Sequence, residues 1–115
     1  MKLANIPTAA IDWSHVPSLV QRGQTGTAAE RTQNIGDMRL RLVTYSSGYE
    51  ADHWCDKGHV LHVIAGTIII EYRDRTRVLL DAGTSWHAPD GASPAHRVVC
   101  EPAQPFSLSI ERRQS

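Results

Sequence analysis

The chain has little cysteine, no net charge and no long hydrophobic run. Its 115 residues include two cysteines, Cys55 and Cys100, which excludes the disulfide framework of a small secreted scaffold. A domain of this length buries roughly two-thirds of its unfolded surface, so a core without staples is expected. Lys+Arg and Asp+Glu each number 12, for a formal net charge of +0. Without a run of Lys or Arg nothing favours a phosphate backbone or an anionic surface, and neither nucleic acid nor membrane is an expected partner. The longest apolar stretch, Val60 to Ile70, is interrupted by His62 and Gly66 and falls short of the ~20 residues a spanning helix needs. Met1 to Ala10 holds one basic residue, and Pro7 sits where a signal peptide would need apolar residues. The expected location is the cytoplasm.

Helical periodicity is absent as well. No segment sustains apolar residues at i, i+3, i+4 and i+7, and Pro7, Pro17, Pro89, Pro94, Pro102 and Pro105 interrupt both ends. Short β-branched or alternating segments recur instead, at Met38 to Tyr45, His59 to Ala65, Ile68 to Arg73, Arg77 to Asp81, Thr84 to Ala88, Ala95 to Cys100 and Phe106 to Arg112. Turn-forming pairs and triplets such as Asp56-Lys57-Gly58, Gly66-Thr67 and Asp90-Gly91 separate them. So many short strands in so small a chain predict an all-β fold, a sandwich or a small antiparallel barrel, because one open sheet would leave a face and two edges uncovered. Met38, Leu40 and Leu42 alternate with Arg39 and Arg41, and Phe106, Leu108 and Ile110 repeat the alternation; these apolar residues are expected to face the core. Residues 1–35 have weak patterning and are expected to form an arm lying on the barrel or on a second subunit, with residues 36–115 as the barrel of a single domain. Sheet edges and an arm carrying Ile11 and Trp13 predict a homodimer.

The chemistry-bearing residues cluster. Five of six histidines fall between His53 and His96, close to Cys55, which suggests a metal site. Strand periodicity places His53 and Cys55 on one face. A reversal at Asp56 to Gly58 would then bring His59 opposite Cys55, with His96 arriving from a later strand. His62, an odd number of residues from His59, is expected on the other face. Cys100, in a strand without a partner motif, reads as buried and inert.

The segment Gly48-X4-His53-X-Cys55-X3-His59-X6-Gly66 resembles the first motif of the cupin superfamily, Gly-X5-His-X-His-X3or4-Glu-X6-Gly, with Cys55 at the second His and His59 at the Glu. The second motif, Gly-X5-Pro-X-Gly-X2-His, is similar to Gly83-X5-Pro89-X-Gly91-X4-His96. Ala51-Asp52-His53-Trp54-Cys55 followed by Lys57-Gly58-His59 further resembles the small DHCW-motif cupins. The resemblance implies a double-stranded β-helix, jelly-roll-like, with His53, Cys55, His59 and His96 at the metal-ligand positions. A thiolate among imidazoles favours zinc, with Fe, Ni, Mn or Cu as alternatives. Four protein ligands would close a tetrahedral zinc site and point to a metal- or small-ligand-binding sensor module. With Cys55 off the metal, three histidines leave an open position and point to a metal-dependent dioxygenase or isomerase acting on a small oxygen-bearing molecule. His87, Tyr45 and Trp86 are candidates for the pocket or for supporting the ligands, with Tyr49 and Trp54 as further pocket aromatics.

Overall fold

All seven segments read as strands form strands. The computed structural model, which describes residues 6–102 and 106–114, contains β1 (Leu19–Arg22), β2 (Thr27–Ile35), β3 (Met38–Ser46), β4 (His59–Ala65), β5 (Thr67–Tyr72), β6 (Arg77–Asp81), β7 (Ser85–Ala88), β8 (His96–Val99) and β9 (Phe106–Gln114), after a 3-10 turn at Trp13–His15. They make a six-stranded sheet in the order β1-β2-β3-β9-β4-β7 and a three-stranded sheet in the order β6-β5-β8, with every pairing antiparallel. The two sheets are not joined by a continuous ladder into a closed barrel. Isolated bridges, Thr25 to Glu50, Glu50 to Val99 and Cys55 to His96, connect them at one end.

The chain changes sheets between β4 and β5 at Gly66, where φ is +73° and a Cβ would stand 2.6 Å from the Phe106 carbonyl oxygen. Only glycine meets both demands. The core between the sheets holds Val43, Leu61, Val63, Ile68 and Ile70, all fully buried, and a fully buried Leu or Ile of this kind contributes about 2 kcal/mol.

Two expectations need correction. The residues expected to face the core from β3 and β9 do not: Leu40, Leu42, Leu108 and Ile110 are half-buried and Phe106 is exposed, whereas Val43, Tyr45, Ser107, Ser109 and Glu111 are buried. Alternation identified the strands and chose the wrong face, because the inner face is the more polar of the two. Residues 19–35, read as part of an arm, supply β1 and β2. β2 pairs with β3 from Ala28 opposite Tyr45 to Ile35 opposite Met38, so its nine residues are held by ladder hydrogen bonds, although Thr-Ala-Ala-Glu-Arg-Thr-Gln-Asn-Ile has no apolar period.

Glu71 on β5 is 3% exposed and lies between Arg77, whose Nε donates to its carboxylate at 2.8 Å, and Arg97, whose Nε does so at 2.9 Å. Burial works against its charge, and the two guanidiniums more than offset that, so its carboxyl sits below the ordinary range. A depressed folded value means the stabilisation is complete above the unfolded value near 4.5 and is lost as the pH falls through the folded one. Glu71→Ala should therefore cost about 3 kcal/mol at neutral pH, by leaving Arg97 buried without this partner. In urea unfolding the difference from wild type should shrink in acid; an equal difference at both pH values would exclude ion pairing as its cause.

Candidate metal centre and cavity

Between the inner faces of the sheets lies a cavity of about 240 Å³ whose lining includes His53, Cys55, His59 and His96. His59 opens β4 and pairs with Ala88 on β7. His96 opens β8 in the opposite sheet and pairs with Tyr72 on β5. Their rings meet edge to face, with centroids 5.0 Å apart. Trp86 packs against both, at 5.1 Å from His59 and 4.7 Å from His96, and its indole N–H donates to the Tyr72 hydroxyl at 3.0 Å. The indole is thus pinned from the far side and fixes the histidine pair.

His96 is 1% exposed, and neither of its ring nitrogens has a hydrogen-bond partner. Burial, with the neighbouring His59 adding to it and the Glu111 and Asp56 carboxylates opposing it, pushes its pKa down to about 4. It is therefore a neutral imidazole at pH 7, the form that binds metals. A buried imidazole with both nitrogens unbonded calls for an explanation, and a cation is one that fits.

Cys55 reaches the cavity by another route than a hairpin with His59. Its N–H donates to the His96 carbonyl at 2.7 Å, and the His96 N–H donates to the Cys55 carbonyl at 2.9 Å, so its partner strand is β8. The segment that carries His53 and Cys55 is a loop with a single bridge, which corrects the expected strand. Cys55 is half-buried. The side chain of His53 is 79% exposed, and its Nδ1 lies 2.7 Å from Asp52 Oδ1; the ring holds that exposed carboxyl below its usual range. Among the described residues no three His, Cys, Asp or Glu side chains stand together as a metal-holding group. All four line the same cavity, His59 and His96 with their rings in contact, and a metal shared among them would require His53 and Cys55 to turn toward the pair.

The reversal before His59 is held to the second motif. The Gly58 N–H donates to Asp90 Oδ1 at 2.8 Å, the Gly91 N–H donates to the Asp56 carbonyl at 2.8 Å, and a Cβ on Gly58 would lie 2.6 Å from the Asp90 nitrogen. The two motif loops are thereby locked together, which places His59 and His96 in one chamber.

Of the other candidates, Tyr45 and Trp86 are buried beside the cavity or its histidines, and Tyr49 lines it with its ring 5.0 Å from that of Tyr45. Trp54 lies under the Arg97 guanidinium at 4.7 Å. His87 is exposed on the opposite side of β7, and His62, also outside, pairs through Nδ1 with the Ser85 hydroxyl at 2.8 Å. Cys100 is buried, and burial pushes its thiol up to about 11, which makes it a poor nucleophile.

Sequence reasoning missed the cavity floor. Glu111 on β9 is 3% exposed. It accepts from the Tyr45 hydroxyl at 2.7 Å and the Ser109 hydroxyl at 3.4 Å, and faces Arg41 Nη1 at 3.6 Å; Arg41 also pairs with Glu30. Burial, followed by the Glu111 carboxylate, raises Tyr45 well above the usual phenol range, with Arg41 opposing. The signal was present in the register: Arg41 lies two residues before Val43 and four before Tyr45, and Glu111 shares the parity of Ser107 and Ser109.

No family model and no curated protein matches the sequence. Solved structures do match in fold. The polyketide cyclase RemF from Streptomyces resistomycificus superposes with a TM-score of 0.77 at 15% identity, covering 94% of this chain and 80% of that one. An RmlC-like cupin from Shewanella frigidimarina gives 0.71 at 16% identity, covering 95% and 92%. A cupin-like protein from Thermotoga maritima gives 0.67 at 18% identity, covering 82% and 78%. The two antiparallel sheets, with the motif histidines brought into one chamber between them, are the fold of the cupins.

Proposed function

We propose that this chain is a small cupin metalloprotein that binds one divalent metal in the cavity through His53, Cys55, His59 and His96, and acts as a metal- or small-ligand-binding module. The observation that carries this reading is His96, a neutral imidazole 1% exposed with both ring nitrogens unbonded, facing His59 at 5.0 Å. Imidazoles with a thiolate select zinc over harder ions. His59 and His96 hold the metal from opposite sheets, Trp86 fixes their ring planes, and Cys55 and His53 close the site from the loop. With all four ligands in place the site would be closed, and bound zinc would tie the loop to the two sheets.

A second reading, a metal-dependent dioxygenase or isomerase, is favoured by the charged floor, which a purely structural metal does not need. Among proteins of this fold are a polyketide cyclase, a sugar phosphate isomerase and an Fe(II) protein crystallised with an alternative substrate. Catalysis there would need Cys55 off the metal, so that an oxygen of the substrate could take its place.

The outer face of the large sheet supports the homodimer. Val60, Ile64 and Phe106 are 44%, 46% and 49% exposed, and with the half-buried Leu40, Leu42, Leu108 and Ile110 they form an apolar surface of the kind that marks an interface.

Protein purified without added metal should contain about one divalent ion per chain; metal-free protein that refuses Zn, Fe, Ni and Mn would overturn the proposal. Cys55→Ser should weaken zinc retention by at least about tenfold, about 1.4 kcal/mol, and His96→Ala more. In the cobalt-substituted protein a sulfur-to-metal band should vanish in Cys55→Ser and persist in Cys100→Ser. A cobalt protein without the band would move Cys55 off the metal and favour the enzyme reading. Sedimentation should give a dimer that Ile64→Glu converts to monomer with unchanged circular dichroism; a wild-type monomer at about 50 µM would reject the interface.

A further inference from the structure

The floor of the cavity carries charges that the metal reading does not use. Strands β3 and β9 turn Arg41, Tyr45 and Glu111 inward, while Leu40, Leu42, Leu108 and Ile110 of the same strands are half-exposed outside. Apolar packing on the inner face would be at least as stabilising, since a buried ion pair rarely repays its desolvation. Perturbed, buried charge in a cavity is the usual mark of a binding site.

The hydrogen-bonding capacity of this floor is only partly used. Of the three guanidinium nitrogens of Arg41, Nη2 meets Glu30, Nε is buried without a partner, and Nη1 stands 3.6 Å from Glu111 Oε1, beyond hydrogen-bond distance. The Tyr45 and Ser109 hydroxyls both go to Glu111 Oε2, which leaves Oε1 facing Nη1 across that gap. A donor and an acceptor therefore stand side by side. Formal charge selects further: at the gap one guanidinium stands against the carboxylates of Glu30 and Glu111, and with Arg22, Arg97 and Asp52 the whole lining sums to zero, so the cavity offers an anion no net positive charge. The volume of about 240 Å³ leaves room for a small organic molecule beside an ion.

We infer that Arg41 and Glu111 form a binding site for a small neutral molecule that carries a hydroxyl or amide N–H next to a carbonyl oxygen, the carbonyl accepting from Arg41 Nη1 and the O–H or N–H donating to Glu111 Oε1. Tyr45 is the positioning residue: its hydroxyl holds Oε2 and so aims Oε1 at the ligand. The site goes beyond the metal reading and stands without it.

The test uses glycolamide, hydroxyacetone and glycolate as probes on the full chain, as purified and after chelation, and follows the ring resonances of Tyr45. Glycolamide and hydroxyacetone should shift those resonances saturably. Glycolate, nearly isosteric with glycolamide but anionic, should bind at least about tenfold more weakly. Glu111→Gln should weaken glycolamide by at least about tenfold. Tyr45→Phe, read by thermal stabilisation, should weaken it by less, with no change in the preference for the neutral probe. If Glu111→Gln does not fold, Arg41→Lys carries the same comparison from the donor side. Glycolate binding as tightly as glycolamide, glycolamide binding indifferent to both the Glu111 and the Arg41 substitution, or no saturable shift below about 50 mM would overturn the site. Zinc uptake is measured on the same samples, so failure of the metal reading and failure of this site are seen separately.

Discussion

Arg97 reaches from β8 to several parts of the chain at once. Its Nε donates to Glu71 on β5 at 2.9 Å, its Nη2 to Glu50 at 2.9 Å, and its Nη1 to the Ala51 carbonyl at 3.2 Å and to Gln24 at 3.3 Å, while its plane covers Trp54. The planar fork of donors is what allows one side chain to do this, and lysine could not. Because the two sheets share no continuous ladder, this fork and the backbone bridges at Glu50 and Cys55 are what fasten the mouth of the cavity. The loop from Glu50 to Cys55 has no regular partner strand. It is placed by the residue that follows His96, so the positions of Cys55 and His96 are coupled through one guanidinium as well as through their own backbone pair.

That coupling explains why the site was legible from the sequence in outline and not in detail. The spacing of His53, Cys55, His59 and His96 marked residues that do line one chamber. It also suggested a hairpin in which Cys55 faces His59, and there the reading failed, since a turn signal at Asp56 to Gly58 says that the chain reverses and not which strand it meets next. The true neighbour of Cys55 is His96, and no local pattern specifies a pairing of that range. The same limit hid β2, whose polar residues become a strand only because β1 and β3 supply hydrogen bonds on both sides.

The inverted faces of β3 and β9 have a different origin. A period of two fixes which residues lie together and leaves the choice of face to the surroundings. Hydrophobicity normally makes that choice, and here it misleads, because the inside of the large sheet is a chamber with a polar floor as well as a core. Ser107 and Ser109 are fully buried on this inner face, with Ser107 bonded to the Thr67 carbonyl at 2.8 Å and Ser109 to Glu111.

The chamber therefore has two unlike poles built by the two sheets together. At one, the aromatic stack of Tyr72, Trp86, His59 and His96 excludes water and keeps an imidazole neutral. At the other, a guanidinium, two carboxylates and a phenol are held in a partly satisfied network. A metal alone would need only the first pole, and a packed core would need neither. Low dielectric strengthens every unspent hydrogen bond inside such a space, so the Arg41 and Glu111 atoms that remain unpaired at 3.6 Å are the polar groups of the floor with the most to gain from a further partner.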